Sequence, residues 1–368
     1  MSSLFLSSLT LSHFRSHRRV NIRCDGRPIA IHGANGAGKT NILEAVSLFS
    51  PGRGLRRSSA QEMTRRPEAL GWKLTGELAS LSQRHEIEIW SQQGAARQIR
   101  IDSKSAPQTA LAKSARILWL VPSMDRLWIE GAEGRRRFLD RMALSFFPNH
   151  AEASLIYEKT MRERNRLLKD QVRDPAWYAA LESQMASVAV QIHHHRQATV
   201  AHLTAAQAEA QTSFPIATLR IEQAEADAPT TEDAFRTAFA DSRPRDLIAG
   251  RTLVGPHRSD LHAVYAAKSV PASDCSTGEQ KALLISLILA NARALTQDFG
   301  APPILLLDEV AAHLDPSRRA ALYDEICALG AQAWMTATEA SLFTSLADRA
   351  QYLEVTDQGG HSQVTLSA

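Results

Sequence analysis

The sequence predicts an α/β fold whose mixed sheet is built from both chain ends, with a short α-helical arm inserted between them. Three observations carry this. Short apolar alternations open the chain, glycine disappears after Gly134 as the texture turns helical, and helix and strand alternate over the last hundred residues. The expected boundaries are 1–122 and 245–368 for the two halves of the α/β domain, and 123–244 for the arm.

Leu4, Leu6, Leu9 and Leu11 predict an opening strand, and Arg27–His32 a second. Glu86–Trp90 and Ile99–Asp102 follow as strands, with Ile87, Ile89, Ile99 and Ile101 at alternating positions. From about Met124 to Ala210 the chain reads as helix. Asn149 caps a helix to about Val172, and Asp174-Pro175 starts another towards Thr212. Some thirty helical residues give a rod of about 50 Å, which lacks the sustained heptads of a long coiled coil. Ala217–Ile221, Thr252–Val254, Leu261–Tyr265 and Ala333–Met335 return to strand.

A chain of 368 residues buries about three quarters of its surface without disulfide help. With 44% apolar and 22% charged residues it is neither disordered, collagenous nor membrane-spanning. The longest apolar stretch, Ala282–Ala290, is broken by Ser286 and falls far short of the ~20 residues a bilayer demands. Residues 1–11 lack a basic n-region, and His13, Arg15, Arg18 and Arg19 stand where a secretory cleavage site belongs. Cys24, Cys275 and Cys327 match no metal or redox spacing and suit a reduced cytosol, so a cytoplasmic protein is expected. The net charge of +3 is uneven: residues 1–66 hold 11 Lys/Arg against 3 Asp/Glu, and residues 222–246 hold 3 against 7. A basic face suits nucleic acid, and an ordinary arginine-rich surface accounts for the same numbers.

Gly33-Ala34-Asn35-Gly36-Ala37-Gly38-Lys39-Thr40 fits G-x-x-x-x-G-K-[ST]. Pro28–His32 supplies the preceding strand, and Ile42, Val46 and Phe49 mark one face of a helix that Pro51-Gly52 stops. Glycines let backbone N–H groups turn inward around phosphate oxygens, and the helix N-terminus adds its dipole. ATP and Mg²⁺ are the expected cofactors: Lys39 would reach the β- and γ-phosphates and the Thr40 hydroxyl would ligate Mg²⁺. The run Pro302–Leu307 reads as a parallel strand buried on both faces, closed by Asp308 and Glu309. Asp308 is the candidate Mg²⁺ ligand, and Glu309, with Lys39, the candidate catalytic residue, polarising the attacking water.

Ser276-Thr277-Gly278-Glu279-Gln280-Lys281 precedes an apolar helix and resembles the signature motif of ABC-type ATPases in an S-x-G-E-x-K variant. Ser276 and Glu279 also have capping-box spacing, which is compatible with that role. Ala311-Ala312-His313-Leu314-Asp315-Pro316 is placed like the D-loop of the class, and Asp315 is equally a helix N-cap. Lys39 and Asp308 lie 269 residues apart, room for a helical insertion.

Over nearly its whole length the chain resembles the RecF family of bacterial recombination mediator ATPases. The resemblance is carried by Leu9-x-Leu11-x-x-Phe14-Arg15, by Val121–Leu127 followed by Gly134–Asp140, by Tyr157 with Arg164–Lys169, and by Thr252–Leu261 with its Gly255-Pro256-His257-Arg258 core. It implies a P-loop ABC-type ATPase head, slow and DNA-stimulated, that forms an ATP-dependent homodimer. Gly33–Thr40, Asp308 and Glu309 of one protomer would meet Ser276–Lys281 of the other. The dimer would clamp DNA at duplex/single-strand gap junctions, with RecR and RecO as partners, and help RecA onto single strands. Met124 and Ser259 depart from the family's acidic residues, there is no clear Q-loop glutamine, and Thr336 and Thr338 stand near the switch position. A transporter cassette, a defence-type head ATPase and an ATP-switched scaffold that binds no DNA remain rivals.

Other basic groups admit two readings. Arg135, Arg136 and Arg137 suit DNA, a second subunit's nucleotide or a solvated helix start. Arg162, Arg164, Arg166 and Lys169 suit a phosphate backbone or a solvated face. His257 and Arg258 suit the nucleotide site or a fold-determining turn. His193, His194 and His195 point about 100° apart on a helix and cannot converge on one metal ion.

Overall fold

The computed structural model describes residues 4–93, 95–223 and 229–367; residues 224–228 of the acidic stretch and the His313 side chain lie outside that description. Within it the strands form three sheets. The first is antiparallel and runs β2 (His17–Arg23), β1 (Leu4–Phe14), β4 (Trp72–Ser80), β5 (Gln83–Ser91), β6 (Gln98–Ile101), β7 (Lys104–Ser105). A second runs β15 (Ser362–Ser367), β14 (Gln351–Asp357), β3 (Ile29–His32), β13 (Ala333–Ala337), β12 (Ile304–Leu307), β8 (Ile117–Leu120), all parallel except β15. The third is small: β11 (Val270–Pro271), β10 (Asp260–Tyr265), β9 (Ala217–Glu222).

The second sheet joins the two ends of the chain. β3, from the first forty residues, lies between β13 and β14, so Ile31 sits beside Thr336 on one side and Leu353 on the other. Its Ile29-Ala30-Ile31 run is buried, as a parallel strand covered on both faces requires. In β1 the leucines at 4, 6, 9 and 11 are all buried although the step from Leu6 to Leu9 is odd. A register shift between Leu6 and Ser8 absorbs the extra residue and returns the apolar side chains to the core.

α1 (Lys39–Ser47) follows the phosphate loop; α2 (Ala60–Met63) and α3 (Leu111–Ser114) are single turns. α4 (Ala132–Phe146), α5 (His150–Lys169), α6 (Pro175–Ala208) and α7 (Glu232–Ala249) make the helical part, and α8 (Thr277–Phe299) and α9 (Pro316–Leu329) flank the parallel sheet. The 34-residue α6 starts as expected, with Asp174 Oδ1 accepting the Ala176 N–H at 2.9 Å. It enters two cores. Met185, Ala186 and Ala189 pack with Tyr157, Phe235 and Phe239, while Val200, Leu203 and Ala206 join the core built around α8 and β12.

Several expectations need correction. α5 ends at Lys169, short of Val172, and Asn149 is itself helical and makes no side-chain cap. α6 likewise stops at Ala208, short of Thr212. Thr252–Val254 is not a strand, because its N–H groups are taken by side chains: Thr252 by Asn165 Oδ1 at 2.7 Å and Leu253 by Asp246 Oδ1 at 3.0 Å. Arg164 does not face solvent or phosphate. It is fully buried and bonds Glu182, Asp246, Thr252 and the Phe239 carbonyl.

Candidate functional site

The phosphate loop connects β3 to α1, and its neighbours come from both ends of the chain. Gly38 has φ of 109°, in the left-handed region, and a Cβ there would lie 2.3 Å from Ser362 Oγ and 2.7 Å from Ser16 Oγ. Both reasons exclude a side chain. Ser362 Oγ lies 2.5 Å from the Ala37 carbonyl, Asn41 Nδ2 donates to Ser16 Oγ at 2.7 Å, and His17 Nε2 sits 3.1 Å from the Gly38 carbonyl. Burial pushes the His17 pKa down to about 4 against the pull of that carbonyl, so the neutral ring donates to it.

Lys39 Nζ folds onto the loop's own carbonyls, Gly33 O at 2.7 Å and Ala34 O at 2.9 Å. Burial lowers its pKa, and the charges of Glu309 and Asp308 oppose that shift. Thr40 Oγ1 donates to the Asp308 carboxylate at 2.9 and 3.1 Å, so the ends of α1 and β12 meet here. Thr336, on the adjacent β13, donates its hydroxyl to Asp308 Oδ1 at 2.7 Å and accepts the Glu309 N–H at 2.9 Å. Glu309 has φ of 53°, a conformation that costs a non-glycine residue about 1–2 kcal/mol. The Thr336 bond holds the backbone there. Thr336 was legible in sequence only as a residue near the switch position; Thr338 is exposed.

One buried group went unnoticed in sequence. Glu44 of α1 is fully buried, and it accepts Arg15 Nε and Nη2 at 2.8 and 2.7 Å and Arg56 Nη1 at 3.0 Å. The Phe14-Arg15 turn is therefore pinned to the helix that carries Lys39 and Thr40.

Ser276 caps α8 in a full capping box: its hydroxyl takes the Glu279 N–H, and Glu279 Oε2 takes the Ser276 N–H at 2.9 Å. Ser276, Thr277 and Gly278 are exposed. Lys268 and Ser276 hold the Glu279 carboxyl down to a pKa of about 2. Gln280 and Lys281 turn inward and leave that exposed face. Gln280 Nε2 donates to the Cys275 carbonyl at 2.9 Å, and Lys281 pairs with Asp125 at 3.2 Å. Asp315 caps α9 by accepting the Arg318 N–H at 2.9 Å, with its side chain half exposed.

The remaining basic groups largely serve the fold. Arg135 forks onto Asp260 at 2.8 Å twice, Arg136 donates to the Ser259 carbonyl at 2.8 Å, and Arg137 pairs with Glu133. His257 bridges Tyr157 Oη at 2.8 Å and the Thr252 carbonyl at 3.1 Å, which makes Gly255–Arg258 a turn tied to α5. No cluster of metal-ligating side chains occurs among the described residues, where His195 instead meets His150 and stacks on Phe147.

No described helix is long and apolar enough to cross a membrane. The family model "RecF/RecN/SMC N terminal domain" matches residues 5–362. The DNA replication and repair protein RecF of Rhizobium etli is 45% identical over 364 residues, covering 96% of this chain and 97% of that one. RecF of Caulobacter sp. is 44% identical over 388 residues, 98% of both chains. Among solved structures, the recombination mediator RecF with ATPrS matches with a TM-score of 0.84 at 22% identity, covering 100% and 99% of the two chains. The Smc head domain derived from Pyrococcus furiosus, with an extended coiled coil, matches at 0.58 and 18% identity over 99% and 96%. These two likenesses establish a shared head-domain fold. By the extent of the family match and by identity sustained along nearly the full length of its relatives, the chain belongs to the RecF family of ABC-type ATPases.

Proposed function

We propose that the chain is an ATP-switched DNA-binding protein of replication and recombinational repair. Two copies close over ATP and clamp DNA at duplex/single-strand gap junctions, and slow, DNA-stimulated hydrolysis releases them. The names of its relatives place them in DNA replication and repair and, for two solved structures, in the RecFOR pathway. RecR and RecO are the partners on that reading, loading of RecA is the outcome, and the location is cytoplasmic, at the nucleoid. Residues 1–122 and 245–368 would act as the ATPase head, with 123–244 as its arm.

The observation that carries this reading is an unequal division of the site. Lys39, Thr40, Asp308, Glu309 and Thr336 converge at the end of one sheet, whereas Ser276, Thr277 and Gly278 lie exposed and turned to solvent. Gly33, Ala34, Asn35, Gly36, Ala37 and Gly38 would wrap the phosphates with backbone N–H groups, and Lys39 would exchange its two carbonyl partners for phosphate oxygens. Thr40 and Asp308 fit Mg²⁺, since a hydroxyl and a carboxylate already adjoin at the loop's edge, and the ion would neutralise phosphate charge there. Glu309, held by Thr336, would orient the attacking water. From the second copy, Thr277 and Gly278 would offer the free N–H groups of a helix start whose Ser276 and Glu279 N–H groups are already taken in the capping box, with Asp315 nearby at the junction.

Sedimentation of the chain with ATP, ADP and neither, with gapped duplex present, tests this reading. A dimer only with ATP supports it, and one mass in all three states refutes it. Ser276→Arg should leave ATP affinity within about twofold and abolish the ATP-dependent dimer; if ATP binding itself is lost, the signature assignment is wrong. Thr336→Val should lower turnover about tenfold to a hundredfold by releasing Asp308 and Glu309, whereas Thr336→Ser should keep most of it. Equal turnover in the two variants would remove the hydroxyl from the argument.

A further inference from the structure

We propose that the cleft between edge strands β2 and β15 binds the phosphodiester backbone of duplex DNA; this rests on the DNA-binding reading above and assigns it a surface. β2 is the free edge of the antiparallel sheet and β15 the free edge of the parallel one, and a cleft of about 640 Å³ opens where they adjoin. His13, Arg18 and Arg19 line one wall and His361 and Gln363 the other, and no aspartate or glutamate lines it. Arg18 and Arg19 are exposed and make no ion pair or side-chain hydrogen bond among the described residues. Of the arginines near them in sequence, Arg23 is likewise exposed and without a side-chain partner among the described residues, whereas others are held. Arg15 and Arg56 are held by Glu44, Arg27 by Asp25 and Arg65 by Glu68.

Two guanidinium groups lining the cleft from successive residues of its edge strand focus a positive field that no carboxylate of the lining offsets, and their planar forks match phosphate oxygens. No Phe, Tyr or Trp lines the cleft. Single-stranded nucleic acid and nucleotide bases are generally held by stacking on such rings, so the chemistry here fits a stacked duplex read through its phosphates alone. The floor touches the nucleotide loop: Ser362 lines the cleft and also contacts the Ala37 carbonyl and Ser16 Oγ, at 2.5 and 2.6 Å. Duplex and triphosphate would share one wall.

The test measures binding of a fluorescein-labelled duplex to the full chain across a salt series with a nonhydrolysable ATP analogue, alongside binding of a fluorescent ATP. The double variant Arg18→Glu/Arg19→Glu should lose about tenfold or more in duplex affinity, and the slope of log affinity against log salt should shrink by about two, near 0.9 per lost phosphate contact. Gln363→Glu puts one carboxylate into the same cleft from the opposite wall and should also weaken the duplex. ATP affinity should hold in both. If the wild-type chain binds duplex and both variants match it, the cleft is not the DNA surface. Parallel loss of ATP affinity would make it part of the nucleotide pocket and overturn the proposal. A wild-type chain that binds no duplex in any nucleotide state would sink this proposal together with the DNA-binding function.

Discussion

Glu309→Gln should bind ATP as the wild type does, turn it over about two to four orders of magnitude more slowly, and accumulate as an ATP-bound dimer. The amide keeps the shape and the backbone bond to Thr336, so the strained geometry at residue 309 survives while the basic oxygen that would orient water is lost. Stopped-flow phosphate release gives the turnover, and sedimentation with ATP gives the assembly. A variant that stays monomeric with ATP at concentrations well above its affinity would contradict a site shared between two copies. A variant that hydrolyses at the wild-type rate would move the base elsewhere.

Arg164→Ala should destabilise the chain by about 3–5 kcal/mol, visible as a lower urea midpoint and melting temperature. The guanidinium is fully buried between Glu182 and Asp246, which are also buried, with Nη1 donating to Asp246 Oδ2 at 2.7 Å and Nε to Glu182 Oε1 at 3.1 Å. Truncation leaves Asp246 without its cation, and the same change removes the donor that Arg164 supplies to the Thr252 hydroxyl at 2.9 Å, leaving that hydroxyl its bond to Asn165. Glu182 keeps Arg243, so Asp246 bears most of the loss. Arg164→Lys should recover only part, because an ammonium cannot reach carboxylates, hydroxyl and carbonyl with one planar fork. An unchanged midpoint in the alanine variant would show that the network contributes nothing net.

The convergence of Lys39, Thr40, Asp308 and Glu309 was legible because its signal is local. Strand, glycine loop, Lys39-Thr40 and helix lie within a few residues, and the Asp308-Glu309 pair closes an apolar run that only a buried strand explains. What distant partners decide was not legible. Arg164 shares helical spacing with the exposed Arg166, and only partners far along the chain, Glu182 and Asp246 among them, distinguish the two. Thr252–Val254 has strand-like composition, but Asn165 and Asp246 take the N–H groups that a ladder would have used. β4 was missed although Trp72, Leu74 and Leu78 are buried at alternating positions, a period-two signal that was there to be read. β2 gave less warning, since its arginines mask the pattern of His17, Val20 and Ile22.

The placement of β3 has a consequence for how the protein is made. Its neighbours in the sheet are β13 and β14, and the serine that closes over Gly38 is residue 362. A ribosome that has released the phosphate loop must still add about 300 residues before the first of these strands emerges, which at about 5–20 residues per second takes some 15–60 s. Throughout that interval Ile29, Ala30 and Ile31 have no sheet partner, and the segment depends on whatever shelters exposed apolar chain in the cell until β13 and β14 emerge.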